Sequence, residues 1–86
     1  MTTLDKLLQN LGIERVDLLK INVEGAELPV LRGCKRFLSM RKILKIIATP
    51  HPPFKREARK IRKYLESFDY KVKVSKDANF LYAFLA

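Results

Sequence analysis

Two short apolar runs, residues 16–23 (VDLLKINV) and 43–48 (ILKIIA), are each followed by residues at helical spacing. This alternation limits the possible folds sharply. Strands joined through a helix lie parallel, because a parallel pair needs a crossover of a dozen or more residues. The first run is broken only by Asp17 and Lys20, so it reads as a strand buried on both faces, as strands of parallel sheets are. The expectation is an α/β domain with helices above and below the sheet.

The remaining segments extend this frame. Thr2 and Asp5 resemble a capping box, with Leu4, Leu7, Leu8 and Leu11 at helical spacing behind them and Gly12 as the stop. Ala26, Val30, Leu31, Cys34 and Leu38 predict one amphipathic second helix, with Pro29 tolerable only near its first turn. Gly33 costs that helix about 1 kcal/mol relative to alanine, and suggests close packing on the sheet. A third helix is expected over residues 55–68, with Ala58, Ile61, Leu65 and Phe68 on its core face. The chain then closes with a hairpin, YKVKV–SKDAN–FLYAFLA. Lys71 and Lys73 suit an edge strand, and the wholly apolar last strand suits an interior one. The predicted order is α-β-α-β-α-β-β, a mostly parallel four-stranded sheet with an antiparallel C-terminal hairpin, in one domain spanning residues 1–86.

Charge is unevenly placed. Of 18 basic residues only Lys6, Arg15, Lys20 and Arg32 precede residue 35, against Asp5, Glu14, Asp17, Glu24 and Glu27. The later part carries the excess behind the net charge of +9. Much of it falls on the third helix as Lys55, Arg56, Arg59, Lys60, Arg62 and Lys63, a basic patch that admits nucleic acid as a partner. A solvated lysine- and arginine-rich surface explains the same residues without any partner. The single cysteine, Cys34, rules out an internal disulfide and suits a reducing cytoplasm. Apolar runs fall far short of the roughly 20 residues that span a bilayer.

Candidate chemistry gathers at one place. In open parallel sheets, ligands bind beyond the carboxyl ends of the strands. Asn22, Glu24 and Gly25 lie there after the first strand, and Glu27 opens the following helix, where a carboxylate is also stabilising through the helix dipole. His51, in TPHPPF after the second strand, belongs to the same end and is a candidate general base or anion ligand. His51 with Glu24 or Glu27 is only a partial ligand set, so no metal is expected.

These residues resemble a known family. Thr3-Leu4-Asp5, residues 16–21, Val23-Glu24-Gly25-Ala26-Glu27 and Val30-Leu31-Arg32-Gly33 are similar to the core motif of the FkbM-type methyltransferases, S-adenosylmethionine-dependent enzymes with a class I Rossmann-like fold. The family pattern has aspartate where Asn22 stands, which replaces a carboxylate with an amide. The resemblance implies a three-layer Rossmann-like half-domain corresponding to the C-terminal half of the family fold. The three glycines, Gly12, Gly25 and Gly33, form no G-x-G cluster, so the glycine-rich loop and the ribose-binding acid have no counterpart. No S-adenosylmethionine binding is expected of this chain alone. The partners expected are a cofactor-binding half in trans, or a second copy paired through the edge of the strand at residues 16–23. A non-catalytic interaction domain is the other class that fits.

Overall fold

The computed structural model describes residues 3–22, 27–50 and 52–85. Its elements run α1 (Leu4–Asn10), β1 (Val16–Ile21), α2 (Glu27–Arg32), α3 (Lys35–Ser39), β2 (Ile43–Ala48), α4 (Phe54–Glu66), β3 (Tyr70–Val74) and β4 (Leu81–Leu85). The strand order is β1-β2-β4-β3. β1 and β2 are parallel, whereas β2–β4 and β3–β4 are antiparallel. The sheet is therefore mixed rather than mostly parallel, because β4 turns back from β3 and inserts beside β2. The strand with Lys71 and Lys73 lies at an edge and the apolar β4 lies inside, as their sequences predict.

The predicted second helix is instead two short ones, so the order is α-β-α-α-β-α-β-β. The break falls at Gly33 and Cys34. A Cβ on Gly33 would come within 3.3 Å of the Val30 carbonyl and 3.5 Å of the Leu4 amide. The near neighbours of Gly33 are thus α2 and the start of α1, not the sheet. The Asp5 N–H donates to the Gly33 carbonyl at 2.9 Å. In return, the Asp5 carboxylate accepts from the Arg36 N–H (2.8 Å) and the Phe37 N–H (3.0 Å). Those amides belong to the first turn of α3, whose own N-cap, Cys34, makes no side-chain capping bond. Asp5 therefore caps a helix thirty-odd residues away rather than its own. The cap of α1 is Thr3, whose Oγ1 accepts from the Lys6 N–H at 3.2 Å; Thr2 lies outside the described residues.

All four helices place buried side chains in one core: Leu8 from α1, Leu31 from α2, Phe37 and Leu38 from α3, and Ala58, Ile61 and Leu65 from α4. These meet Ile21, Ile43, Ile46, Ala48, Tyr70, Leu81 and Ala83 of the sheet. Leu4 packs against this cluster while Leu7 and Leu11 are exposed, so α1 docks by less of its apolar stripe than its spacing predicts. Leu18, Leu44, Ile47, Tyr82 and Phe84 stand outside the core. In β1 the core members are Val16, Leu19 and Ile21, and in β2 they are Ile43, Ile46 and Ala48.

The architecture is two layers, not three, and the shortest principal extent is only 18 Å. Among the described residues no helix covers the second face of the sheet. β1 is accordingly not buried on both faces: Leu18 is 52% exposed. β1 also lies at the sheet edge, so one side of its ladder is open among the described residues. Among the described residues no helix is long and apolar enough to cross a membrane.

Candidate functional site

Because β1 and β2 are parallel and paired Ile21 to Ala48 at their ends, the loops after both emerge at the same end of the sheet. Asn22 and Thr49 meet there. The Thr49 N–H donates to the Ile21 carbonyl at 3.2 Å, which extends the ladder by one bond. The Thr49 hydroxyl donates to Asn22 Oδ1 at 2.9 Å. Asn22 is exposed, so the amide that interrupts the apolar run lies past the strand rather than inside it. Beyond this bond Asn22 keeps its two N–H donors and the second lone pair of Oδ1 for a ligand.

Glu24, Gly25 and His51 lie outside the described residues. Glu27 is 2% exposed at the start of α2, where the unpaired amides of a helix N-terminus favour a carboxylate. Thr49 was not singled out by sequence reasoning. Its signal is the position one residue beyond an apolar strand, on the side that a parallel neighbour also reaches. Among the described residues no cluster of three histidine, cysteine or acidic side chains is placed to hold a metal ion.

Other features of the molecule are less suited to chemistry. A cleft of about 420 Å³ lined by Gln9, Ile13, Glu14, Arg36, Met40 and Lys42 lies at the amino ends of β1 and β2, the end opposite Asn22. Cys34 is fully buried, as its place on the helical core face predicts, and its thiol is pushed up to about 12, chiefly by burial and secondarily by the Asp5 carboxylate. It stays protonated at neutral pH and is not a nucleophile. The Tyr70 hydroxyl donates to the Ile43 carbonyl inside the core, and burial raises that phenol to about 12 as well.

The basic helix is exposed along Lys55, Arg56, Arg59, Lys60, Arg62 and Lys63. Half of these residues already meet acids on the same helix: Arg56 and Lys60 lie 3.9 and 3.7 Å from Glu57, and Arg62 lies 3.3 Å from Glu66. That pattern is the ordinary one of a solvated helix face.

No curated protein and no solved structure matches the chain. A family match is found over most of its length: residues 1–72 match the methyltransferase FkbM domain. That segment contains the Asp5 clasp, the parallel pair β1–β2 and the Asn22–Thr49 contact at its carboxyl end, and by this match the chain belongs to the FkbM methyltransferase family.

Proposed function

We propose that this chain forms the acceptor-side portion of an S-adenosylmethionine-dependent methyltransferase and works only with a cofactor-binding portion supplied by other polypeptide. The reading is carried by the meeting of Asn22 and Thr49 beyond the carboxyl ends of the parallel pair β1–β2, where α/β sheets bind ligands. In sequence Glu24 and Gly25 follow Asn22 by two and three residues, and His51 follows Thr49 by two. In this reading Asn22 donates to an acceptor atom of the substrate, Gly25 permits close approach of the backbone, and Glu24, Glu27 or His51 receives the proton the methyl acceptor loses.

The described residues do not fit the whole cofactor. An amide and a hydroxyl already bonded to each other cannot also cradle a nucleoside and an amino-acid group, and the sequence has no G-x-G loop. Calorimetric titration of S-adenosylmethionine into the chain tests this. No binding is expected for the chain alone. Binding and methyl transfer are expected when the glycine-rich portion of a longer FkbM-domain protein is added as a separate chain, with Asn22→Ala lowering transfer. Low-micromolar binding by the chain alone would overturn the proposal.

The open edge of β1 favours a second reading, compatible with the first or with a non-catalytic interaction domain. Edge strands are usually blunted by charge or proline, and β1 has only Lys20 and the terminal Asp17. We infer a two-fold homodimer in which two β1 edges pair antiparallel, or in which α1 covers the partner's edge. Sedimentation equilibrium at micromolar concentration is expected to give a dimer of the 10.0 kDa chain; a monomer sinks the idea.

A further inference from the structure

The face of the sheet that carries no helix has a regular chemical pattern. Cross-strand register sets two rows across β1, β2, β4 and β3: Leu18, Lys45, Phe84 and Lys71, then Lys20, Ile47, Tyr82 and Lys73. In the first row lysine alternates with an apolar side chain, and in the second two lysines flank Ile47 and Tyr82, so each aromatic has a lysine beside it. Tyr82 and Phe84 stack on one another with ring centroids 5.4 Å apart and planes 28° apart, and Lys73 Nζ lies 5.8 Å from the Phe84 centroid. The nearest acid on β1, Asp17, is paired with Arg15 at 3.2 Å.

We propose that this face binds single-stranded nucleic acid, with bases stacked on Tyr82 and Phe84 and phosphates held by Lys20, Lys45, Lys71 and Lys73. Charge decides the occupant. Two copies placed face to face would oppose lysine to lysine across the whole contact. A packed helical layer would have to take four ammonium groups out of water, each needing its own acid. A single strand needs neither, because its phosphates neutralise the lysines in a wet interface and its bases offer flat apolar surface to the rings. Four-stranded sheets with helices on one face only use aromatics in this way, with ring residues alternating along an interior strand. Here Tyr82-Ala83-Phe84 on the interior strand β4 supplies that alternation. Because stacking needs unpaired bases, duplex binds more weakly than single strand on this face.

The test is anisotropy of a labelled oligothymidylate of about twelve nucleotides, together with intrinsic emission. The chain has no tryptophan and three tyrosines, so a base over Tyr82 quenches a substantial share of the signal. The expected result is binding with a log–log salt slope near −3, since each phosphate on a single strand contributes about 0.7. Tyr82→Leu and Phe84→Leu keep apolar bulk but lose the ring, and each is expected to weaken binding about tenfold. Lys45→Gln and Lys73→Gln each make the slope shallower by about 0.7, whereas Arg59→Gln on α4 changes nothing. Circular dichroism confirms that each variant is folded, and Phe84→Tyr keeps binding if Phe84→Leu is too unstable to read. The proposal is overturned if no binding occurs at low salt, or if binding depends on α4 but not on Tyr82 and Phe84. It is also overturned if Tyr82 ignores oligonucleotide and is instead shielded by the glycine-rich portion of a longer FkbM-domain protein, which gives the face to a protein layer. Failure of cofactor binding leaves this measurement untouched, so the two proposals fail separately.

Discussion

The two faces of one sheet are built from neighbouring residues yet live in different solvents. On the helical side, Ile46, Ala48, Leu81 and Ala83 are fully buried and tolerate no polar neighbour without a partner. On the other side, Ile47, Tyr82 and Phe84 are only half-buried and share their surface with lysines. The contrast teaches that strand composition alone does not report burial. β1 and β2 are apolar enough for a three-layer protein, but only one of their faces is covered within the described residues.

Stability measurements can break or sharpen this contrast. The largest effect is expected on the covered face: Leu31→Ala or Ile46→Ala should cost about 2–5 kcal/mol in urea unfolding, which a small domain barely survives. A cost below about 1 kcal/mol at these positions would mean that the core is not where the structure puts it.

Alkaline pH probes the same face. Cys34 is raised from 9.0 and Tyr70 from 10.0, each to about 12, mainly by burial. Between those values the unfolded chain sheds protons that the folded chain keeps. Stability is therefore complete below about pH 9 and falls as pH rises towards about 12. Urea midpoints should drop between about pH 9 and about pH 12. Replacing Cys34 with alanine should flatten the lower part of that fall, and an unchanged pH profile would argue against burial as its cause.

A smaller loss is expected from Asp5→Ala. It removes two charge-assisted bonds to the start of α3, and caps are typically worth about 0.5–2 kcal/mol. Asp5→Asn should recover part of it, since the amide oxygen still accepts. The smallest effect belongs to the bare face. Ile47→Ala should cost about 1 kcal/mol or less; a loss equal to that of Ile46→Ala would show that something covers this face in solution.

Much of the fold was legible because it rests on local signals. The runs at β1 and β2, the alternating lysines of β3 and the core stripe of α4 each declare themselves within a few residues. The misreadings are all long-range. Nothing near Asp5 signals that its carboxylate serves Arg36 and Phe37, and nothing near Gly33 signals that Leu4 approaches it. The missing third layer was unreadable because an apolar strand carries no mark of which face its neighbours cover. At the candidate site, the shared end of β1 and β2 followed from their parallel pairing. The Thr49 partner of Asn22 did not, because a threonine after a strand is common and gains meaning only from the ladder beside it.

The reciprocal bonding of Asp5 with the α2–α3 junction has a consequence for how the molecule breathes. The Arg36 and Phe37 amide protons are held by a side chain from another helix, so their protection is not a property of α3 alone. They exchange with solvent whenever α1 lifts away, even while the rest of α3 stays wound. Two amides in the middle of the chain thus act as reporters for the opening of its first helix, and deuterium uptake there counts those openings directly.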